Sequence, residues 1–462
     1  MSTSLLNAVL AIAACLGASG LRAAERLDLA IENVAVVDIE HGRATAPQTV
    51  VVSNGRIVAT GAHATIPDGA TRIDGRGRFL IPGLVDAHVH LFNNASKRAP
   101  NTWVFPLYIA NGVTGVREMA AVPDNIAVVN TWRAGLADGT LVAPRVLAAG
   151  VVVFGNTPAE AAQRVDLAAD AHADFVKVFS NVSAANWRAI IDEAGKRGLP
   201  VAGHIPAGVP ALVAARAGQR TGEHLTQLFE ACTPIENVIV DARKDLGGNA
   251  LNERIDSDEP RVLDAFDARI CERVARELAK TQEIEVPTLV LAWVESRPAG
   301  DASADPRWKY LRPDERTRWE RIAAESTPEQ RAIAARRWDP ARRIVAALHR
   351  ASVPIAAGTD APMRNVYPGF ALHDELERLV DAGLTPAEAL RAATLVPATL
   401  FGIEKDAGTI AIGKRADLVL LDADPLRDIR NTRRIDAVVL DGRLLDRAAL
   451  DALLAKAAAD AK

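Results

Sequence analysis

The 462-residue chain is expected to fold as an α/β protein, a (β/α)8 TIM barrel with a small composite β-sandwich built from both chain ends. Its middle alternates short apolar runs with amphipathic helical stretches, eight times within about 320 residues. Those runs lack strict apolar–polar alternation, as parallel strands covered on both faces do. The two ends read differently: short β-branched segments closed by Asn-Gly or Asp-Gly pairs, the turn chemistry of hairpins.

Composition excludes several classes. There are 54 Lys+Arg against 58 Asp+Glu, a formal charge of -4, which argues against nucleic acid held on a basic face. At 49% apolar the chain is too hydrophobic for intrinsic disorder. No run of about 20 apolar residues is present, so no transmembrane helix is expected. Three cysteines do not make a disulfide framework, and whether Cys232 and Cys271 pair stays open.

Residues 1–24 read as an export leader, with Leu5 to Ala18 as an apolar stretch ending in small residues. Cleavage between Ala18 and Ala24 would release a periplasmic or secreted protein. Ile12-Ala13-Ala14-Cys15 also fits a lipoprotein box, which would give a lipid anchor at Cys15.

Residues 25–79 form the first part of the sandwich: Leu27 to Asp38, then Thr49 to Val52 and Arg56 to Thr60 joined by Ser53-Asn54-Gly55, with Asp74-Gly75 as a later turn. The barrel spans 80–403. Its eight strands are read at Leu80 to His90, Gly112 to Met119, Arg145 to Val153, Asp174 to Ser180, Pro200 to His204, Gln219 to His224, Glu285 to Ala292 and Pro354 to Asp360. Helices are expected over Ala184 to Arg197 and Ala207 to Ala217. Thr385-Pro386-Ala387-Glu388 is a capping box with Pro at the first helical position. A doubly wound open sheet is the alternative on pattern alone, but no nucleotide-binding fingerprint supports it. Residues 404–462 return to the sandwich through Ala416 to Asp422 and Ile435 to Leu440, closed by Asp441-Gly442 and followed by a C-terminal helix.

Two stretches, Leu225 to Lys280 and Val294 to Arg342, are too long for plain connections. Following the sixth and seventh strands, they sit over the face where a barrel keeps its active site. They are read as a lid or pocket wall; a peripheral helical hairpin cored by Trp308, Trp319 and Trp338 is the plainer reading.

The chemistry-bearing residues fall at strand ends. His88 and His90 end the first strand, and residues two apart on a strand point to one side, so both can share an ion. Lys177 lies within the apolar run Phe175-Val176-Lys177-Val178-Phe179, where a buried ammonium is costly unless the side chain reaches out at the strand end. His204, His224 and Asp360 end the fifth, sixth and eighth strands. One residue of this kind is commonplace; six at the same end of one barrel are not.

These residues resemble the amidohydrolase superfamily, in its imidazolonepropionase-like and Xaa-Pro dipeptidase-like branch. The likeness rests on Pro82-Gly83-Leu84-Val85-Asp86-Ala87-His88-Val89-His90, the later Lys, His, His and Asp, and the tail Gly408 to Leu418 (GTIAIGKRADL). It implies two divalent metal ions, zinc being well suited to such nitrogen and oxygen ligands, with manganese, cobalt or iron also open. His88, His90 and Asp360 would hold the first ion, His204 and His224 the second. Lys177, carboxylated by carbon dioxide, would bridge them, which also removes the burial problem. The implied enzyme is an exported binuclear metal-dependent hydrolase. It would cleave an amide or peptide-like C–N bond, in a dipeptide or an N-acyl amino acid, with a metal-bridging hydroxide. Asp360 would be catalytic, moving the proton to the leaving nitrogen. Asp86 and Glu223 would orient ligand histidines. Arg117 could bind a substrate carboxylate or enter a structural ion pair, and His373 is a further pocket candidate. Val178 to Ser183 after Lys177, and Ile205-Pro206 after His204, depart from the dipeptidase-like pattern. A deaminase or lactonase would use the same metal site, and a non-catalytic barrel scaffold would be expected to have lost ligands. The partners implied are a small-molecule substrate and further copies of the chain in a homo-oligomer.

Overall fold

The computed structural model describes residues 28–92, 99–297 and 302–462. The leader expected over 1–24, Cys15 included, lies outside them. Among the described residues no helix is long and apolar enough to cross a membrane.

Seven parallel strands stand side by side in chain order: Leu84–Val89, Val113–Ala121, Arg145–Val152, Phe175–Val178, Val201–Gly203, Thr221–Glu223 and Ile284–Val286. The segment 354–361 takes the eighth place. It joins both edges through single parallel bridges, Glu285 to Ile355 and Val89 to Ala361. The (β/α)8 barrel is therefore closed, with helices such as Ala184–Arg197 on its outside. That helix has the expected bounds: the Ser183 hydroxyl accepts from the Asn186 N–H at its start, and Gly198, left-handed at φ 69, ends it.

Three of the boundary differences from expectation have a clear local cause. The run read as one strand from Leu80 to His90 is split at Gly83. Phe79–Pro82 pairs with Leu29–Asp38 and Leu418–Leu421 in the sheet built from the chain ends, and only Leu84–Val89 enters the barrel. Glycine is required at the crossing, since a Cβ there would lie 2.0 Å from Thr114 Oγ1. The seventh strand, read as Glu285 to Ala292, covers only Ile284–Val286, and Leu289–Ser296 is helical. Pro287 has no N–H to extend the ladder, and Thr288 turns the chain at φ 46. The helix read from Ala207 begins at Ala211, because Pro210 holds the extended conformation before it.

Both chain ends contribute to one mixed sheet. Its order is Arg443–Leu445, Ile435–Leu440, Leu418–Leu421, Phe79–Pro82, Leu29–Asp38, Gln48–Ser53 and Arg56–Gly61. Period-two alternation gives it two buried faces. Leu418 and Leu420 join Leu29, Ile31 and Val50 in one apolar cluster, while Val419 and Leu421 face the barrel core. The two hairpin tips meet. Asn54-Gly55 and Asp441-Gly442 both have positive φ, as the mirror-image turn requires, and the Ala416 N–H donates to the Gly55 carbonyl at 2.9 Å.

The two long stretches are helical. Leu228–Ala231, Glu236–Arg243, Gly248–Asp264 and Ala268–Leu278 follow the sixth strand; Leu289–Ser296, Pro313–Glu325 and Pro328–Arg350 follow the seventh. A disulfide joins Cys232 to Cys271 across the first group. Trp319 is buried with Leu311 and Tyr367 against Trp308, so a small aromatic core does form here, while Trp338 packs against the main barrel core. The expected capping box also forms: the Thr385 hydroxyl accepts from the Glu388 N–H, and the Glu388 carboxylate accepts from the Thr385 N–H at 2.7 Å.

Candidate active site at the barrel mouth

Closing the ring brings the strand ends together. Asp360 adopts a left-handed backbone, φ 63, just beyond the eighth segment, a conformation rare outside glycine and often kept for function. Its Oδ1 lies 2.6 Å from His90 Nε2 and 3.1 Å from His88 Nε2. Donor atoms of these three buried residues all fall within 4.8 Å of one another. Burial alone would raise the Asp360 carboxyl, but His90, His224 and His88 outweigh it and hold it well below the usual carboxylate range.

His204 and His224 lie beside this trio. Their ring centroids are 4.8 Å apart, and the His224 ring is 4.5 Å from that of His88. Each has its Nδ1 fixed by a hydroxyl: Ser180 Oγ at 2.7 Å from His204, Thr288 Oγ1 at 2.7 Å from His224. Nε2 of each is thereby left for the centre. Burial lowers both imidazoles, with Lys177 adding to the effect on His204; His224 is brought down to about 3. Lys177 is fully enclosed on the fourth strand, its Nζ 5.2 Å from the Phe179 ring centroid. Gly203 makes room for it, since a Cβ there would lie 2.7 Å from Lys177 Cδ.

A layer of polar groups beneath the mouth orients these residues. Glu223 Oε2 lies 2.7 Å from His88 Nδ1, while its Oε1 accepts from Arg117 at 2.6 Å and from the Thr221 hydroxyl at 2.5 Å. Burial would raise the Glu223 carboxyl, but Arg117 and His88 bring it down to about 2. Asp86 accepts from the His88 N–H at 3.2 Å and from the Thr359 N–H and hydroxyl at 3.0 and 2.6 Å. Burial nevertheless raises it to about 7. The donor set fits divalent cations: imidazole nitrogens and a carboxylate oxygen converge, and His88, His204 and His224 each have the second ring nitrogen fixed.

Two expected substrate-binding residues do not reach the mouth. The Arg117 guanidinium is 2% exposed and bonded to Glu223, Thr221 and the Ala87 carbonyl, so it positions Glu223 from beneath the mouth. His373 is enclosed elsewhere, between the Thr432 hydroxyl at 2.9 Å and the Asn111 carbonyl at 3.0 Å. Ser180, Thr288 and Thr359 were not singled out from the sequence. All three lie at or just beyond strand ends, but a lone hydroxyl there has no distinguishing pattern.

A cavity of about 270 Å³ opens beside His224, Ser180 and Thr288. Both helical stretches wall it, through Phe229 and Val262 on one side and Glu295 and Ala341 on the other. The pocket-wall expectation therefore describes part of each stretch.

Residues 310–445 match the amidohydrolase family. Over that segment the resemblance to the amidohydrolase superfamily is supported. The chain is 35% identical over 107 residues to an imidazolonepropionase of Shouchella clausii, covering 21% of the present chain and 23% of the relative. It is 34% identical over 120 residues to an adenine deaminase of Mesorhizobium japonicum, covering 22% and 20%. The matched segments thus span under a quarter of those relatives. Among solved structures, bottromycin amidohydrolase superposes with a TM-score of 0.69 at 26% identity, over 95% of the present chain and 91% of that one.

Proposed function

We propose that this protein is an exported, binuclear metal-dependent hydrolase acting on the C–N bond of an amide or peptide-like small molecule. The observation that carries the reading is the convergence of His88, His90 and Asp360 within 4.8 Å. His204, His224 and the enclosed Lys177 lie alongside them. His88, His90 and Asp360 would hold one ion. His204 and His224 would hold the other, with a carboxylated Lys177 between them. Such ions supply an ionised water at neutral pH and polarise a carbonyl oxygen, and the nitrogen and oxygen donors favour zinc.

The chain's own groups do the rest. Asp360, kept as a carboxylate by its histidine neighbours, takes the proton of the attacking water and passes it to the leaving nitrogen. Glu223 and Asp86 fix His88 from below, and Ser180 and Thr288 fix His204 and His224. The apolar cavity walls exclude water from the acyl or amine portion. Export is supported by the Cys232–Cys271 disulfide, since such bonds persist in oxidising compartments. Release to the periplasm and retention by lipid on Cys15 are both compatible with it. The substrate is a small molecule, and the active species is proposed to be a homo-oligomer.

The test is metal analysis with intact mass, followed by a turnover screen of amides, dipeptides and lactones. Two ions per chain, a carbon dioxide adduct on Lys177 and C–N cleavage are expected. A folded, metal-free protein with unmodified Lys177 would sink the two-ion reading. Lactone turnover without amide turnover would replace the substrate class.

A further inference from the structure

The cavity beside His224 has an uneven chemistry. Its walls are apolar, with Phe229, Val262 and Leu291 among them. The charged residues lining it are Glu230, Glu259, Glu295 and Arg337: three carboxylates and one guanidinium. That guanidinium is already shared. Arg337 bonds Glu259 through Nε and again at 2.6 Å through a terminal nitrogen, and it reaches Glu295 at 3.3 Å. The Glu230 carboxylate lies 2.7 Å from Arg243, which also holds Asp258 at 2.9 Å. No donor of Arg337 is left facing the cavity without a carboxylate beside it.

Gln227 supplies the opposite kind of group. It sits at φ 65 just beyond the sixth strand, lines the cavity and is 4% exposed. Its side-chain carbonyl oxygen is buried and accepts no hydrogen bond among the described residues. A buried acceptor in this state costs free energy until an N–H donor reaches it.

We propose that the site takes amides with an apolar body whose far end is neutral or cationic and carries an N–H, and that it rejects substrates ending in a free carboxylate. The inference rests on the hydrolase reading above and narrows it, from dipeptides and N-acyl amino acids to their carboxamides and related amine-bearing amides. A carboxylate entering this cavity would meet like charge from Glu259 and Glu295 and would have to compete with both for Arg337. An N–H entering instead would find Gln227 Oε1 waiting.

The experiment uses matched pairs: an apolar dipeptide against its C-terminal carboxamide, and N-acetylphenylalanine against its carboxamide. Turnover is measured on the metal-loaded protein, and binding separately by calorimetry on Asp360→Asn. The carboxamide is expected to lead by at least tenfold in both. Glu259→Gln, which loosens one hold on Arg337, should shrink that gap severalfold. Gln227→Leu should raise KM for the carboxamide and leave its N,N-dimethyl counterpart nearly unchanged. Equal or better handling of the free acid would overturn the inference, as would failure of both members to bind. Preferential binding of the carboxamide with no turnover of either would uphold it and count against the hydrolase reading instead.

Discussion

His88 and Glu223 are joined by a 2.7 Å contact between Nδ1 and Oε2, with both side chains almost wholly enclosed. The carboxylate fixes which ring nitrogen faces the barrel mouth, and Arg117 on its other oxygen keeps it charged. A chain of three residues from three strands therefore ends on one nitrogen that faces the barrel mouth.

Glu223→Gln should weaken metal binding by roughly 10–100-fold, the usual effect of losing a group that orients a ligand histidine. Chelator competition reads this directly. Unchanged affinity would mean that His88 needs no such support.

Lys177→Ala should remove activity and at least one ion per chain. A short carboxylic acid added to the variant should restore part of both, by occupying the place proposed for a carboxylated Lys177. Full metal content in the untreated variant would show that Lys177 is a packing residue.

Glu285 and Glu283 lie at the seventh strand beside Gly222, and their four carboxyl oxygens are buried with no hydrogen-bond partner among the described residues. Burial pushes both carboxyls up, helped by neighbouring carboxylates, Glu223 among them, and Glu285 reaches about 8. A carboxyl raised in the folded state favours folding while protonated. Its contribution is complete below the ordinary value of 4.5 and is lost as the pH climbs towards about 8. Stability should thus fall across that window. Glu285→Gln should flatten the fall, as denaturant midpoints at several pH values would show. An identical slope in the variant would refute the assignment.

The Cys232–Cys271 bond closes a 39-residue separation and ties the end of Leu228–Ala231, which carries the wall residue Phe229, to the helix Ala268–Leu278. Reduction, or Cys232→Ser, should cost about 2–4 kcal/mol, since the unfolded chain regains the closed loop's freedom. A thermal melt with and without reductant is sufficient, and coincident curves would show that the bond adds nothing. Phe229, three residues before Cys232, lines the cavity, so KM should rise alongside.

Local pattern alone determined much of this protein. Strand periodicity placed His88 and His90 on one side, and Asn54-Gly55 and Asp441-Gly442 marked two hairpins. The capping box at Thr385 announced its helix start. Apolar runs counted the barrel strands, because each such feature depends on neighbours only a few residues away. Only the tertiary structure decided the rest. Gly83 parts one apolar run into strands of two sheets because Thr114 approaches from another strand. Arg117 and His373 are polar residues near the right strand ends, yet one is consumed by Glu223 and the other by Thr432 and Asn111. Ser180, Thr288 and Gln227 gain their roles from groups 24 residues or more away, or from a cavity wall that exists only once two helical stretches have packed. Which polar group satisfies which is a question of distance in space, and closure of the barrel sets those distances.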